Sequence, residues 1–222
     1  MIEAVIFDIG GVLAEDVWEH LLPSRNRAGG IRDKFGLDRD QVHKVGTLLW
    51  EAFAYTPERP RATWRELERR YWELFIRFFW EKFPPQGASV DEFIDMTERY
   101  IKLVDPGMPA LLESLQSRGV RLGVCSNNNE FWFRRQFESL KLFRYFSQSG
   151  IILSCRIGVS KSSPGYEMFD AAVRAMDTTQ ANCVFVDDRT DNIRLAKARG
   201  MKGIHFQGLG QLQQSLGEML DR

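Results

Sequence analysis

Four stretches of this 222-residue chain carry side chains that could do chemistry together. Val5-Ile6-Phe7-Asp8 ends in a carboxylate and runs into Gly10-Gly11. Gly123-Val124-Cys125-Ser126-Asn127 ends in a hydroxyl and an amide. Lys161 stands in the Gly/Ser/Pro stretch Gly158-Val159-Ser160-Lys161-Ser162-Ser163-Pro164. Val184-Phe185-Val186-Asp187-Asp188 ends in paired acids, with Asp191-Asn192 just beyond. Three of the four begin as apolar runs that read as buried strands. In an open α/β sheet, ligands bind beyond the carboxyl ends of the strands. Asp8, Ser126 and Asp188 are therefore expected to converge on one crevice, with Lys161 arriving from a loop. An aspartate nucleophile, a hydroxyl, a lysine and a metal-binding carboxylate make a phosphoryl-transfer site.

Each signal also has a bland reading. Asp8 alone could be structural, but Gly10 and Gly11 allow backbone to approach a bound anion closely. Ser126 and Asn127 could simply cap a helix beginning near Glu130. The same strand-to-helix turn also makes an anion site. Lys161 could be a solvated loop lysine, or a fixed positive charge beside a nucleophile and a phosphate. The Asp187-Asp188 pair is the most specific feature. Adjacent acids at a strand end repel each other unless a cation or donors compensate. A carboxylate-and-water site suits Mg²⁺, although helix capping is again the alternative.

The elements that must position these groups follow from periodicity. Strands are expected at the Val5 run, Val120–Cys125, Gly150–Ser154, Cys183–Val186 and Gly203–Phe206. Helices are expected over Pro109–Arg118, Glu130–Leu140, Tyr166–Met176, Asn192–Arg199 and Leu209–Leu220. Strands alternating with helices imply right-handed crossovers and a Rossmann-like, doubly wound, mostly parallel α/β sheet. Residues 15–104 break this pattern: they show much helix and no convincing strand. Trp64, Leu67, Tyr71, Leu74, Phe75 and Phe78 share one face of a helix over Arg61–Phe83, which Pro84-Pro85 stops. Asp91–Leu103 reads as another helix. The expected organisation is a core of residues 1–14 and 105–222 with an inserted α-helical cap, 15–104. The aromatic cap helix is expected to pack within the cap, with a homodimer interface as the alternative.

Composition excludes some classes. Thirty basic and thirty acidic residues give a net charge of zero, which argues against a dedicated nucleic-acid or membrane-surface binder. No stretch of about 18 apolar residues could span a bilayer. The first residues run straight into a strand, so no signal peptide is expected. The three cysteines are scattered, without disulfide or metal-ligand spacing. The expected compartment is the cytoplasm.

Taken together, the four segments resemble the haloacid dehalogenase-like hydrolase superfamily, in particular small phosphatases related to the N-terminal domain of soluble epoxide hydrolase and to bacterial sugar-phosphate phosphatases. The resemblance spans essentially the whole chain. It implies Asp8 as nucleophile and Lys161 as its charge partner. It implies that Ser126, Asn127, Lys161 and the backbone of Gly10 and Gly11 hold the phosphoryl group. It also implies a Mg²⁺ held by Asp8, the Gly10 carbonyl and Asp188, with Asp187 and Asn192 as outer partners. The implied reaction is hydrolysis of a small phosphorylated metabolite through an aspartyl-phosphate.

Two departures stand out. Many phosphatases of the family carry an aspartate, the general acid and base, where this chain has Gly10. Its absence implies slow turnover on alkyl monoesters, a preference for good leaving groups, or a substitute acid, for which Glu15, Asp16 and His20 are nearest. The familiar Lys-Pro-Asp-Pro is here Lys161-Ser162-Ser163-Pro164, with Gly165-Tyr166 extending the loop. The rival functions are hydrolytic dehalogenation, which needs no acid for its halide, and a catalytically impaired binding protein.

Overall fold

The computed structural model describes residues 1–22, 30–55, 62–81 and 84–221. Five parallel strands form one sheet: β1 (Ala4–Phe7), β2 (Arg121–Ser126), β3 (Ile151–Leu153), β4 (Cys183–Asp187) and β5 (Lys202–His205). Their order is β3-β2-β1-β4-β5. The chain thus builds outward from β1 on one side, then returns to build outward on the other. The order reverses between β1 and β4, which is the switch point where such sheets open a ligand crevice. The ladder reaches the site itself: the Asp8 N–H donates to the Val186 carbonyl at 2.9 Å.

Strand residues alternate between two buried faces. Val5, Phe7, Leu122, Val124, Val184 and Val186 face a core shared with α6 (Met108–Ser117), α7 (Glu130–Ser139) and α11 (Leu209–Leu220). Ala4, Ile6, Cys125, Cys183 and Phe185 face α9 (Glu167–Ala175) and α10 (Thr190–Ala198). Burial on both faces explains why the strands read as continuous apolar runs. The sheet covered by helices on both sides is the expected doubly wound α/β arrangement. All three cysteines are buried, and none of them forms a disulfide.

Among the described residues between β1 and α6 lie five helices: α1 (Val17–Leu21), α2 (Ile31–Phe35), α3 (Arg39–Ala54), α4 (Trp64–Trp80) and α5 (Val90–Arg99). Side-chain caps start most of them, with Asp16, Asp38, Thr63 and Ser89 each accepting from a backbone N–H. Thr63 and Glu66 form a reciprocal capping box, worth about 1 kcal/mol in caps of this kind. The ends of the expected Arg61–Phe83 helix, Arg61 and Phe83, lie outside the described residues. Helix α5 stops at Arg99 rather than at Leu103. There the chain pairs back beside the β1 loop: the Glu15 N–H donates to the Lys102 carbonyl, and Leu103 bridges Ala14.

The aromatic residues of α4 mostly pack inside the inserted helices. Leu67, Tyr71, Trp72 and Phe75 are buried in a cluster with Phe53, Phe93 and Met96, while Leu74 and Phe78 remain exposed. The cluster is not self-contained, because Phe131 and Trp132 at the start of α7 belong to it. Trp132 stacks on Trp50 and packs against Tyr71. A buried ion pair sits beside this contact. The Arg135 guanidinium on α7 grips Glu68 on α4, donating from Nε to Oε1 at 2.8 Å, and also reaches Glu98 on α5. Glu68 has no exposure, so deleting Arg135 strands a buried carboxylate, whereas deleting Glu68 leaves the guanidinium its contact with Glu98. We expect Arg135→Ala to cost about 3–5 kcal/mol. Urea unfolding should report a lower midpoint with the slope unchanged; an unaltered midpoint would mean the pair contributes nothing to anchoring the inserted helices.

Candidate active site

Asp8 follows β1 and its carboxylate is buried. Its Oδ1 accepts from the Ile9 N–H at 2.8 Å, and its Oδ2 meets Lys161 Nζ at 2.9 Å. Ser126, the last residue of β2, lies beside the same carboxylate and favours its charged form. Lys161 is only 1% exposed, and its ammonium also contacts Asp187 Oδ2 at 2.6 Å. A lysine from a Gly/Ser loop is thus pinned between two carboxylates. The loop holds itself in shape: the Ser160 N–H donates to Ser163 Oγ, and the Ser163 N–H to the Ser160 carbonyl. Asn127 Oδ1 accepts from the Lys161 N–H at 2.9 Å. The altered sequence after Lys161 therefore still delivers the lysine to Asp8.

Asparagine 129, rather than Ser126 or Asn127, caps α7, its Oδ1 accepting from the Trp132 N–H. The capping alternative for Ser126 and Asn127 is thereby removed. Ser126 faces Asp8 and Asn127 steadies the Lys161 loop. Ser154 ties this turn to the end of β3, where the chain becomes the one-turn helix α8 (Ser154–Ile157) instead of continuing as strand.

The two acids of Asp187-Asp188 are not equivalent. Asp187 is fully buried, and its oxygens accept from Lys161 Nζ, the Arg189 N–H and Asn192 Nδ2. Asn192 serves Asp187, and Asp191 pairs with Arg194 on the helix surface. Asp188 is exposed and projects against Gly11. Gly11 has φ +75°, and a β-carbon there would lie 2.5 Å from Asp188 Oδ2. The Gly11 N–H donates to the Ala14 carbonyl at 2.8 Å. Its N–H is engaged within the turn, and its missing side chain leaves space for Asp188. Gly11→Ala should cost about 1–3 kcal/mol through the left-handed backbone and displace Asp188. A thermal melt and a Mg²⁺ titration would check this; unchanged values in both would refute the close approach.

Oxygens of Asp8, Asp187 and Asp188 lie within 4.8 Å of one another. Against three carboxylates stands one ammonium, an arrangement that favours a cation. Burial, with the Asp187 charge adding to it, pushes the Asp8 carboxyl up to about 7, although Lys161 and Ser126 work the other way. The Asp188 carboxyl is also raised, by partial desolvation and by the charge of its neighbour Asp187. For Lys161, burial disfavours the charge, but Asp8 and Asp187 outweigh it and hold the ammonium charged. All-oxygen donors in a small cluster fit Mg²⁺, which keeps several waters and takes only one or two carboxylates. A divalent ion would reverse the upward shifts of Asp8 and Asp188.

Of the three nearest substitutes for an acid at position 10, Glu15 and His20 bond each other at 2.9 Å, and the His20 ring stacks on Tyr100. Asp16 lies elsewhere: its Oδ1 caps α1 and its Oδ2 lies 3.7 Å from where a β-carbon on Gly10 would stand. Burial raises its carboxyl as well. No helix among the described residues is long and apolar enough to cross a membrane.

Comparison with known proteins agrees with this geometry. The family description "haloacid dehalogenase-like hydrolase" matches residues 2–200. Sesquiterpene phosphatase astK of Aspergillus oryzae is 32% identical over 208 residues, covering 92% of this chain and 89% of that protein. A phosphatase of Mycobacterium tuberculosis is 24% identical over 234 residues, covering 99% and 97%. Among solved structures, a HAD family enzyme from Bacteroides thetaiotaomicron, crystallised with magnesium and inorganic phosphate, superposes with a TM-score of 0.62 at 18% identity, covering 92% and 93%; at that identity the likeness speaks for the fold. The matched length and the phosphatase relatives make the chain a phosphatase-type hydrolase, and it belongs to the haloacid dehalogenase-like hydrolase family.

Proposed function

We propose that the chain is a Mg²⁺-dependent phosphomonoesterase that forms an aspartyl-phosphate on Asp8 and acts on a small phosphorylated metabolite. The observation that carries this reading is the buried Lys161 ammonium, 2.9 Å from Asp8 and 2.6 Å from Asp187, at the sheet's switch point. A carboxylate so held keeps one oxygen oriented for attack, and the lysine offsets the repulsion between it and an incoming phosphate. Ser126, Asn127 and the backbone at Gly10 are the further groups for the phosphoryl oxygens. Asp8, Asp188 and the Gly10 carbonyl would hold the ion, whose chemistry is to neutralise charge developing on those oxygens. Residues 15–104 would act as the cap over the crevice and carry the substrate's non-phosphate part.

The relative's sesquiterpene phosphate chemistry places an isoprenoid alkyl phosphate on the list of substrates to test, beside sugar 1-phosphates and acyl phosphates. Hydrolytic dehalogenation is disfavoured by the acidic cluster, which has no task when the leaving group is a halide. Hydrolysis of this panel with Mg²⁺, and its loss on adding EDTA, is the expected result. Activity on a haloacid that persists in EDTA, with no phosphate released from any member, would overturn the reading.

A further inference from the structure

The geometry points to Asp16 as the general acid and base of this site, supplying from the start of α1 the carboxyl that position 10 lacks. The inference rests on the phosphomonoesterase reading. In phosphoryl transfer the attacking and leaving oxygens lie roughly in line. With Asp8 attacking from the end of β1, the leaving oxygen points away from the sheet edge, toward the inserted residues that follow the β1 loop. A proton donor must come from that side.

The other ionisable groups at the crevice are committed elsewhere. Lys161 is held between two carboxylates. Asp187 accepts from three separate donor groups in the interior. Asp188 lies against Gly11. Glu15 and His20 bond each other. Among the described residues, Asp16 alone divides its oxygens between the two tasks: Oδ1 takes the Glu19 N–H at 3.1 Å, which fixes the side chain, and Oδ2 is turned toward Gly10. A β-carbon at position 10 would stand in van der Waals contact with that carboxylate, 3.7 Å from both Cγ and Oδ2. The glycine and the aspartate are therefore complementary: the space left without a side chain at position 10 is reached by the carboxylate of residue 16. An acid at both positions would set two carboxylates side by side, which like-charge repulsion disfavours.

The chemistry balances as follows. An Asp8 carboxylate oxygen bonds to phosphorus while the bond from phosphorus to the substrate alcohol breaks. The departing oxygen takes the Asp16 carboxyl proton and leaves as neutral alcohol. A water oxygen then bonds to phosphorus, the bond to Asp8 breaks with its electron pair returning to the carboxylate, and the water proton passes to Asp16, which is reset.

The test compares wild type, Asp16→Asn, Gly10→Asp and the double variant on a series of aryl and alkyl phosphates with graded leaving groups, with Mg²⁺ present. Asparagine keeps the capping oxygen, so α1 should still form, and equal melting temperatures check that. Expected for Asp16→Asn is a fall in kcat/KM of about 10²–10⁴-fold on alkyl phosphates and less than about tenfold on nitrophenyl phosphate. Its kcat should converge on one value for all substrates, because breakdown of the common aspartyl-phosphate becomes limiting. The double variant should recover much of the loss on alkyl phosphates, while Gly10→Asp alone brings no gain. A uniform fall in kcat/KM across the series, or no fall, would overturn the role of Asp16 while leaving the phosphatase reading standing. A wild type inactive on every phosphate would overturn that reading, and the role of Asp16 with it.

Discussion

Asp8→Asn is expected to abolish turnover, to below about 1% of wild type, while the protein stays folded; nucleophilic catalysis has no substitute once the carboxylate is gone. The amide preserves the shape of the side chain and the acceptor for the Ile9 N–H. The variant loses the charge opposite Lys161, but Asp187 still pairs that ammonium at 2.6 Å. The lysine is thus not stranded, and the melting temperature should stay near that of wild type. Circular dichroism and a steady-state assay on the same preparation separate the two effects. Retention of more than a few per cent of the rate would sink the covalent mechanism, whatever the melting temperature.

The second large effect distinguishes the two acids at the end of β4, Asp187 and Asp188. The family resemblance implies Asp188 as the metal ligand and Asp187 as an outer partner, with the milder role. The interior hydrogen bonds change the second half of that expectation. Asp187→Ala removes the acceptor of Lys161, the Arg189 N–H and Asn192 together, and leaves buried donors without partners. Such a loss costs about 3–5 kcal/mol when a buried charged pair is broken. Lys161 keeps its contact with Asp8 but loses its second anchor. Asp188→Ala removes an exposed side chain, so its stability should change by less than about 0.5 kcal/mol, whereas Mg²⁺ affinity and activity should fall steeply. Metal titration and thermal unfolding of both variants give opposite rankings if the assignment is right. Equal Mg²⁺ affinity for wild type and Asp188→Ala would refute it.

The five strands are legible in the sequence to within a residue or two, because burial on both faces makes each an apolar run bounded by glycine or polar residues. The helices α6, α7, α9, α10 and α11 were equally legible from their period. Helix α3 was not singled out: Gly46 interrupts its apolar face, and it packs there against Trp18 and Leu22, which no periodicity could reveal. The stop of α5 at Arg99 depends on pairing between Leu103 and Ala14, residues 89 positions apart in the chain. Helix α8 takes the place of the last strand residue expected at Ser154 because that hydroxyl is bonded to the Asn128 turn.

At the site, residue types and strand ends were enough to bring Asp8, Ser126, Lys161 and the acid pair to one place. What they left open were side-chain directions. The assignment of the α7 cap to Asn129 rather than Ser126 turns on one backbone hydrogen bond. The inward turn of Asp187 depends on Asn192 of the next helix and on a lysine 26 residues earlier. Gly11 was legible as a place where backbone could approach an anion closely, but the closing of the turn by its N–H with Ala14 was not. Asp16 carried no motif; its meaning comes from the empty side of Gly10.

The most direct test of the account is to trap the intermediate. Wild-type protein mixed with Mg²⁺ and a substrate that releases a burst of product is quenched in acid and digested, and the peptide carrying Asp8 is examined by mass spectrometry with and without borohydride reduction. The account predicts a phosphoryl group on that peptide, and conversion of Asp8 to homoserine on reduction, both absent in Asp8→Asn. A burst of product with the phosphoryl group on Ser126, or on no residue, would contradict it.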